Sequence, residues 1–180
     1  MSPELQRRFQ AIETQRADIQ RDLLDLGEAP LNWSPGPEVW SLRQIVEHLV
    51  LGDEEIGRTY APGAVPTEAP MFRVLPRAWR RALVLRALRR GDALPLASPA
   101  MDPRGDLPLA ALLPRWEAAR RAMRADMESL RDDGRRWFHP VLGPLTITQV
   151  LELGQTHTAY HMRQMAALRR DPAFPRGGPS

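Results

Sequence analysis

The sequence predicts an all-α protein, a four-helix bundle with a long crossover between its second and third main helices. Four segments place apolar residues at intervals of three and four, which is the repeat of an amphipathic helix. Two of these segments open with a capping box. No segment shows the alternation of apolar and polar residues that indicates a strand. We therefore expect residues 1–180 to form a single domain.

The first helix is predicted from Ser2 to Gly27. Serine is a favourable N-cap, the proline that follows it fits the first turn, and glycine commonly ends a helix. The next stretch, EAPLNWSPGPEVW, is rich in proline and indicates a connection. We expect its Trp33 and Trp40 to fold back onto the bundle.

The second helix is predicted to begin after Ser41 and to continue to about Gly57. Its start reads SLRQ, a capping box in which the serine and glutamine side chains bind backbone groups at the helix end. The crossover that follows, residues 61–107, is rich in proline. It contains one short helical pattern, PRAWRRALVLRALRRG, which Gly91 is expected to stop.

The third helix is predicted within LPLAALLPRWEAARRAMRADMESLRDDG, with Gly134 as its stop. The fourth helix opens with the capping box TITQ, which begins at Thr146, and continues to about Arg170. The tail, residues 171–180, reads DPAFPRGGPS and is expected to be frayed.

The composition excludes several classes of function. The chain has no cysteine, which excludes disulfides, thiolate metal sites and a cysteine nucleophile, and leaves histidine and carboxylate as the strong metal ligands. The net charge is 25 − 22 = +3, and all 25 basic residues are arginine. No apolar run approaches the roughly 20 residues that cross a bilayer. We expect a cytoplasmic protein with no membrane partner.

Two histidines, His157 and His161, stand four residues apart on the apolar side of the fourth predicted helix. Residues at this spacing have Cβ atoms about 6 Å apart, so both imidazoles can reach one cation at about 2.0–2.1 Å. The second predicted helix offers His48, next to its own apolar stripe. Inward-facing ligands converge between adjacent helices of a bundle. The alternative, which the residues leave open, is that each ring is a hydrogen-bonded core residue.

Two segments carry a family resemblance: WSLRQIVEHLVLGDE and, later in the chain, HPVLGPLTITQVLELGQTHTAYHMRQM. They resemble the DinB-like, or YfiT-like, family of DNA-damage-inducible and metal-dependent proteins. The resemblance implies a bundle with up-down-down-up connectivity, a homodimer, and a divalent metal held by His48, His157 and His161. The family's histidine-proline-x-x-glycine-x-leucine-threonine stretch corresponds to residues 139–146, and its trailing glutamine to Gln164.

The resemblance also implies an activity. Relatives include transferases that use bacillithiol, mycothiol or glutathione, and enzymes that isomerise maleylpyruvate with mycothiol. We expect a metal-dependent enzyme that transfers a low-molecular-weight thiol, such as bacillithiol, to an electrophile, or that hydrolyses a small-molecule substrate. Zinc or nickel is expected ahead of iron or manganese, although nitrogen ligation alone does not choose between them. Because ligating imidazoles must be neutral, the metal is expected to leave below a pH of about 6.

Other polar residues near these motifs have simpler explanations. His139 precedes a proline and is expected to form hydrogen bonds in the loop before the fourth helix. Gln164 stands three residues after His161 and could support it, whereas Glu47 is expected at the surface. The serine and threonine of the two capping boxes need no nucleophilic role. A metal that only joins the second and fourth helices is a further alternative.

A run of arginines supports a different hypothesis from the metal site. Seven arginines and no acid lie between Arg73 and Arg90, with Phe72, Trp79 and Leu83 near them. A basic helix with aromatic residues suits phosphates or an anionic surface, which supports a second hypothesis, a non-catalytic stress-response or binding module. The simpler interpretation is a solvated outer face, so nucleic acid is not the expected partner.

Overall fold

The structure, a computed structural model, describes residues 2–60, 76–95, 98–129, 137–139 and 141–176. The four long helices that the apolar repeat predicts are present, so the predicted all-α four-helix fold is confirmed. The elements of the described residues are α1 (Pro3–Leu24), α2 (Glu28–Asn32), α3 (Leu42–Tyr60), α4 (Arg77–Arg90), a 3-10 turn (Pro99–Met101), α5 (Leu109–Ser129), β1 (Trp137–His139), β2 (Gly143–Leu145) and α6 (Ile147–Arg170).

The local sequence accounts for several helix ends. The Ser41 N–H donates to Gln44 Oε1 at 3.0 Å, and the Gln44 N–H donates to Ser41 Oγ at 3.3 Å. Thr146 and Gln149 form the same reciprocal pair at the start of α6. Gly91 ends α4 with a φ of 85°, a left-handed conformation that glycine adopts without strain. Both predicted capping boxes and the predicted stop of the insert helix are therefore present.

The contacts of α1 and α6 show that these helices run parallel. The Gln15 side chain donates to the Gln155 carbonyl, and farther along both helices Asp22 pairs with Arg169. Helices α3 and α5 are also parallel: Glu47 of α3 contacts Gly105, just before α5, and farther along both helices Asp53 contacts Arg120. Because α5 follows α3 among the four long helices, this parallel order requires a long crossover between them.

The contacts of α1 with α5 show the opposite direction. Glu13 binds Arg120, whereas Arg16, one turn later in α1, binds Glu117, which is earlier in α5. Helices α1 and α6 thus point one way, and α3 and α5 point the other way. This is the up-down-down-up connectivity that the resemblance implied.

The hydrophobic core lies between the four long helices, and α3 contributes most to it. Leu42, Val46 and Val50 are each 0% exposed, because α3 packs against α2, α5 and α6. The side chains between these positions on α3 are also enclosed, which places polar residues of α3 in the interior. Other members of the largest apolar cluster are Ile19, Leu23, Leu31, Leu112, Trp116, Met165 and Leu168.

The hairpin of β1 and β2 corrects the expectation of a chain without strands. It pairs Trp137 with Leu145 and His139 with Gly143 in antiparallel register. Each strand has only three residues, which is too short for an alternating pattern to appear in the sequence. Trp137 and Leu145 are buried against the start of α6, so tertiary packing stabilises the hairpin.

The tail is ordered where a frayed end was expected. Phe174 is only 7% exposed, and its ring meets Trp33 edge to face with centroids 5.5 Å apart. Burial of this aromatic pair holds residues 171–176 against the bundle. The expected fraying of 177–180 and the predicted helix stop at Gly134 lie outside the described residues.

Helix α4 lies against α6, and its arginines make many of the contacts. Glu152 of α6 binds Arg81 at 2.8 Å and Arg89 at 3.2 Å. Arg80 is 5% exposed and donates to the Val141 carbonyl at 2.9 Å. The arginine run was expected to form a solvated outer face. Some of its arginines instead pack inward or pair with Glu152, so this expectation holds only in part. Its first arginine, Arg73, lies outside the described residues.

Among the described residues, no helix is both long and apolar enough to cross a membrane.

Candidate metal centre

The three histidines that the sequence singled out meet in the interior of the bundle. His48 of α3 brings its Nε2 to 3.2 Å from His157 Nε2, and His161 brings its Nε2 to 3.0 Å from the same atom. His48 and His161 are buried, and His157 is partly buried. The i, i+4 spacing places the last two on one face of α6, and the antiparallel packing of α3 against α6 supplies the first.

The tautomer of His48 is set by the loop before α5. Its Nδ1 lies 2.8 Å from the carbonyl oxygen of Met101, and a carbonyl can only accept. Nδ1 therefore carries the proton, and Nε2 presents a lone pair to the other two rings. A hydrogen bond of this kind to the outer nitrogen orients a metal-binding imidazole.

The tautomer of His161 is set by its own helix. Its Nδ1 lies 2.7 Å from Gln164 Oε1, and the Gln164 Nε2 donates to the Tyr160 hydroxyl at 2.8 Å. The Gln164 amide thus turns its oxygen toward His161 and its NH₂ toward Tyr160. His161 Nδ1 donates, so its Nε2 also presents a lone pair. Gln164 thus takes the supporting position that the sequence suggested.

The spacing of the nitrogens fits a single small cation. Three nitrogens at about 2.0–2.1 Å from one ion in a tetrahedral arrangement lie about 3.3 Å apart. The separations of 3.2 and 3.0 Å are close to this value. The unprotonated Nε2 atoms of His48 and His161 lie at these distances from His157 Nε2. Three imidazole nitrogens in this arrangement suit a divalent transition metal.

Burial keeps the three rings neutral, as metal ligation requires. Desolvation and, to a smaller extent, the neighbouring His48 lower the pKa of His161 to about 3. Desolvation also lowers the pKa of His157 well below its usual value, with added effects from His161, His48 and His139. The pKa of His48 is lowered by burial, although the Met101 carbonyl opposes this shift.

A cavity of about 920 Å³ adjoins the three rings, and all three line it. Its wall is mostly apolar, with a few charged groups. Coordination positions that the histidines leave free would face this space, which is the open arrangement of catalytic metal sites. Lining residues include Ile12, Leu49, Asp53, Met101, Trp116, Trp137, Leu153 and Arg86.

Trp40 packs over the ligand rings. Its ring centroid lies 4.7 Å from that of His48 and 6.2 Å from that of His161. The Trp40 and His161 rings are nearly parallel. The expectation that this tryptophan folds back onto the bundle is confirmed. Its place beside the histidines was not evident from the sequence, because the contact depends on the path of the proline-rich connection.

Glu47 corrects the expectation of a surface charge. It is 5% exposed, and its Oε2 accepts the Gly105 N–H at 2.6 Å. Gly105 has a φ of 77° and lies against Gln44, so the loop passes very close to α3. The same loop carries Met101, whose carbonyl orients His48. Glu47 therefore supports the site by holding this loop.

His139 lies apart from the other three. Its Nδ1 accepts the N–H groups of Val141 and Leu142 at 3.1 and 3.2 Å, so the expected hydrogen bonding within the loop is present. Its ring lines the same cavity. It does not belong to the group of three whose ligand atoms lie within 4.8 Å of one another.

Comparison with known proteins decides the family. Residues 11–165 match the family model of the DinB superfamily. The chain belongs to the DinB superfamily. No curated protein matches it. Among solved structures, the chain is similar to one described as "YfiT from Bacillus subtilis is a probable metal-dependent hydrolase with an unusual four-helix bundle topology", with a TM-score of 0.59 and 16% identity over 94% of this chain and 89% of that chain.

At 16% identity, this similarity supports the fold of the DinB-superfamily chain. Its chemistry is inferred from the residues of the candidate site. The matched region contains α3, α5 and most of α6, and therefore all three histidines.

Proposed function

We propose that this protein is a metal-dependent enzyme in which His48, His157 and His161 hold one divalent ion. Zinc or nickel is expected ahead of iron or manganese. The proposed reaction is the transfer of a low-molecular-weight thiol, such as bacillithiol, mycothiol or glutathione, to an electrophile. Metal-assisted hydrolysis is the second reaction of the same site. The description of the similar YfiT structure as a probable metal-dependent hydrolase supports a metal-dependent activity.

One observation carries the proposal: three Nε2 atoms from two separate helices converge on a single point. If the rings were only core residues, each would need a separate partner for its inner nitrogen. Here the outer nitrogens of His48 and His161 already have partners, and the inner nitrogens face one another. A proton on His157 Nε2 could satisfy one of the two lone pairs, and the other would stay unpaired, which is costly without a cation between the rings.

The cavity supports catalysis over a purely structural role. A metal that only joined α3 and α6 would have a closed shell of protein ligands. The three histidines leave positions free on the side of the cavity, which has room for a small molecule. When bound, the ion would lower the pKa of a coordinated thiol or water. His48 and His161 hold their Nε2 lone pairs toward it.

The proposed setting is the cytoplasm, with a homodimer as the working form and a small molecule as substrate. Trp79 and Leu83 of α4 are 66% and 50% exposed, and such large apolar side chains suit contact with a second copy. Sedimentation of wild type and Trp79→Glu tests this part. A dimeric wild type and a weaker dimer in the variant would support it, whereas a monomeric wild type would contradict it.

The alternative, a non-catalytic module that presents an arginine surface, has less support. Arg80 is buried, and Arg81 and Arg89 are paired with Glu152, so these cations stabilise the packing of α4. Binding to nucleic acid would also weaken steeply with salt.

The deciding experiment measures metal and turnover together. Purified wild type, His157→Ala and His139→Asn are analysed for bound metal by mass spectrometry. Each is then incubated with monochlorobimane and each of the three thiols, and with a panel of esters and amides. We expect about one metal per chain in wild type and His139→Asn, a loss of orders of magnitude in affinity in His157→Ala, and turnover that a chelator abolishes. Equal metal content in His157→Ala and wild type would contradict the site.

A further inference from the structure

The hydrogen bonds of His139 fix a tautomer opposite to that of His48 and His161. Its Nδ1 accepts two backbone N–H groups, from Val141 at 3.1 Å and from Leu142 at 3.2 Å. A nitrogen that accepts hydrogen bonds carries no proton, and a neutral imidazole has one proton in all. The proton of His139 is therefore on Nε2, which makes that atom a hydrogen-bond donor.

This donor lies at the cavity of the candidate metal centre. His139 and the three converging histidines line the same space. His139 is also close enough to His157 to disfavour a positive charge on it. Within the described residues, no hydrogen-bond partner of His139 Nε2 is found, although its Nδ1 has two. Burial lowers the pKa of His139 to about 4, so the ring is neutral near pH 7.

The hairpin holds the ring in this orientation. His139 ends β1, and its register partner Gly143 begins β2 with a φ of 75°. The two N–H groups that bind Nδ1 belong to the turn between the strands. The ring therefore cannot rotate to present Nδ1 to the cavity without leaving two backbone donors unpaired, which is costly. Any side chain with an acceptor oxygen at this position could bind the two N–H groups of the turn. The needs of the turn therefore do not explain why the residue also has a donor, Nε2–H, on its other side.

We propose that His139 is a substrate-binding residue, whose Nε2–H donates to an oxygen of the small molecule bound at the metal. This inference rests on the proposed metal centre and names the class of ligand. The ligand has one donor atom for the ion, a second acceptor such as a carbonyl, carboxylate or phosphonate oxygen for His139, and an apolar body along the cavity wall. A fixed neutral donor of this kind selects for acceptors without the desolvation cost of a charge.

Two substitutions separate the nitrogens of the ring. His139→Asn places an amide oxygen near the position of Nδ1, keeps an acceptor for the turn, and removes the donor at Nε2. His139→Gln places an amide NH₂ near the position of Nε2 and keeps the donor. We expect unchanged zinc content in both variants, and a melting temperature of His139→Asn close to that of wild type.

The probe is phenylphosphonate, which has an apolar ring and three oxygens, titrated calorimetrically into the zinc-loaded proteins. We expect His139→Asn to bind it about fivefold to tenfold more weakly than wild type, the loss of one hydrogen bond, and His139→Gln to bind within about twofold of wild type. Equal affinity in His139→Asn and wild type would overturn the proposal. So would an absence of binding to zinc-loaded wild type.

A second measurement does not depend on the metal or on the variants. Long-range ¹H–¹⁵N spectra of metal-free wild type should assign the proton of His139 to Nε2 at pH 7, and a proton on Nδ1 would refute the inference. If wild type binds no zinc, the metal proposal fails while this spectrum still decides the tautomer. If zinc binds but the two variants behave alike, only the role of His139 fails.

Discussion

The Nε2 atoms of His48 and His157 lie 3.2 Å apart, although 109 residues separate them in the chain. His48 is buried and His157 is partly buried, and desolvation lowers the pKa of each. The energy lost by bringing these two ring nitrogens together away from water is recovered when a cation accepts both lone pairs.

Bound metal is expected to withstand acid better than the ordinary pKa of histidine suggests. Protons compete with the metal only when the pH approaches the pKa of the metal-free ligands. Because burial lowers these pKa values, to about 3 for His161, zinc should remain bound at a pH of about 5 and leave only at lower pH. This predicted limit is lower than the pH of about 6 expected from unperturbed histidine. Metal content after dialysis at a series of pH values tests it, and full release at pH 6 would contradict it.

Gln164 is expected to strengthen metal binding through the orientation of His161. Gln164→Leu removes the acceptor for His161 Nδ1–H and should weaken zinc affinity by about 10-fold to 100-fold. Gln164→Glu keeps an oxygen at the same position and should retain affinity or increase it. Competition with a fluorescent chelator measures both constants. Equal constants for the leucine and glutamate variants would show that the contact does not matter.

Glu47 is expected to act on the metal through the loop that carries Met101. Glu47→Ala removes the acceptor for the Gly105 N–H, and the loop should then hold the Met101 carbonyl less firmly against His48. We expect about a 10-fold loss of zinc affinity. The control is Glu54→Ala, which removes an ion pair with Arg115 between α3 and α5 but no contact of the loop. The idea fails if the two variants bind zinc equally well.

Arg120 is expected to matter for stability. It is 3% exposed and binds Glu13 at 2.6 Å and Asp53 at 3.5 Å, between α1, α3 and α5. Asp53 is partly buried, and desolvation raises its pKa in spite of Arg120. Removal of one partner of a buried ion pair leaves an uncompensated charge, so Arg120→Met should lower the free energy of unfolding by about 3–5 kcal/mol.

The matched control for this prediction is Arg121→Met on the same helix. Arg121 is exposed and 3.8 Å from Glu117, so its removal should cost less than about 0.5 kcal/mol. Urea denaturation at pH 7 measures both values. Similar unfolding free energies for the two variants would contradict the importance of the buried network.

The sequence by itself determined the features that depend on local interactions. Periodicity and capping identified α1, α3, α5 and α6, because an amphipathic stripe and a capping box are formed by residues close together in the chain. The pairing of His157 and His161 is also local, since one turn of helix brings their nitrogens to 3.0 Å. His48 was proposed from its place beside the apolar stripe of the second helix, and the family resemblance then joined it to this pair.

Only the tertiary structure decided the features that depend on contacts between distant segments. The short hairpin, the burial of Phe174 and the inward contacts of Arg80 follow from neighbours that the local pattern does not identify. Glu47 seemed a surface charge because its partner, Gly105, is 58 residues away. The tautomers of His48, His139 and His161 depend on which acceptor or donor packs beside each ring. These contacts form only when helices and loops pack together, and they determine which nitrogen of each ring faces the cavity.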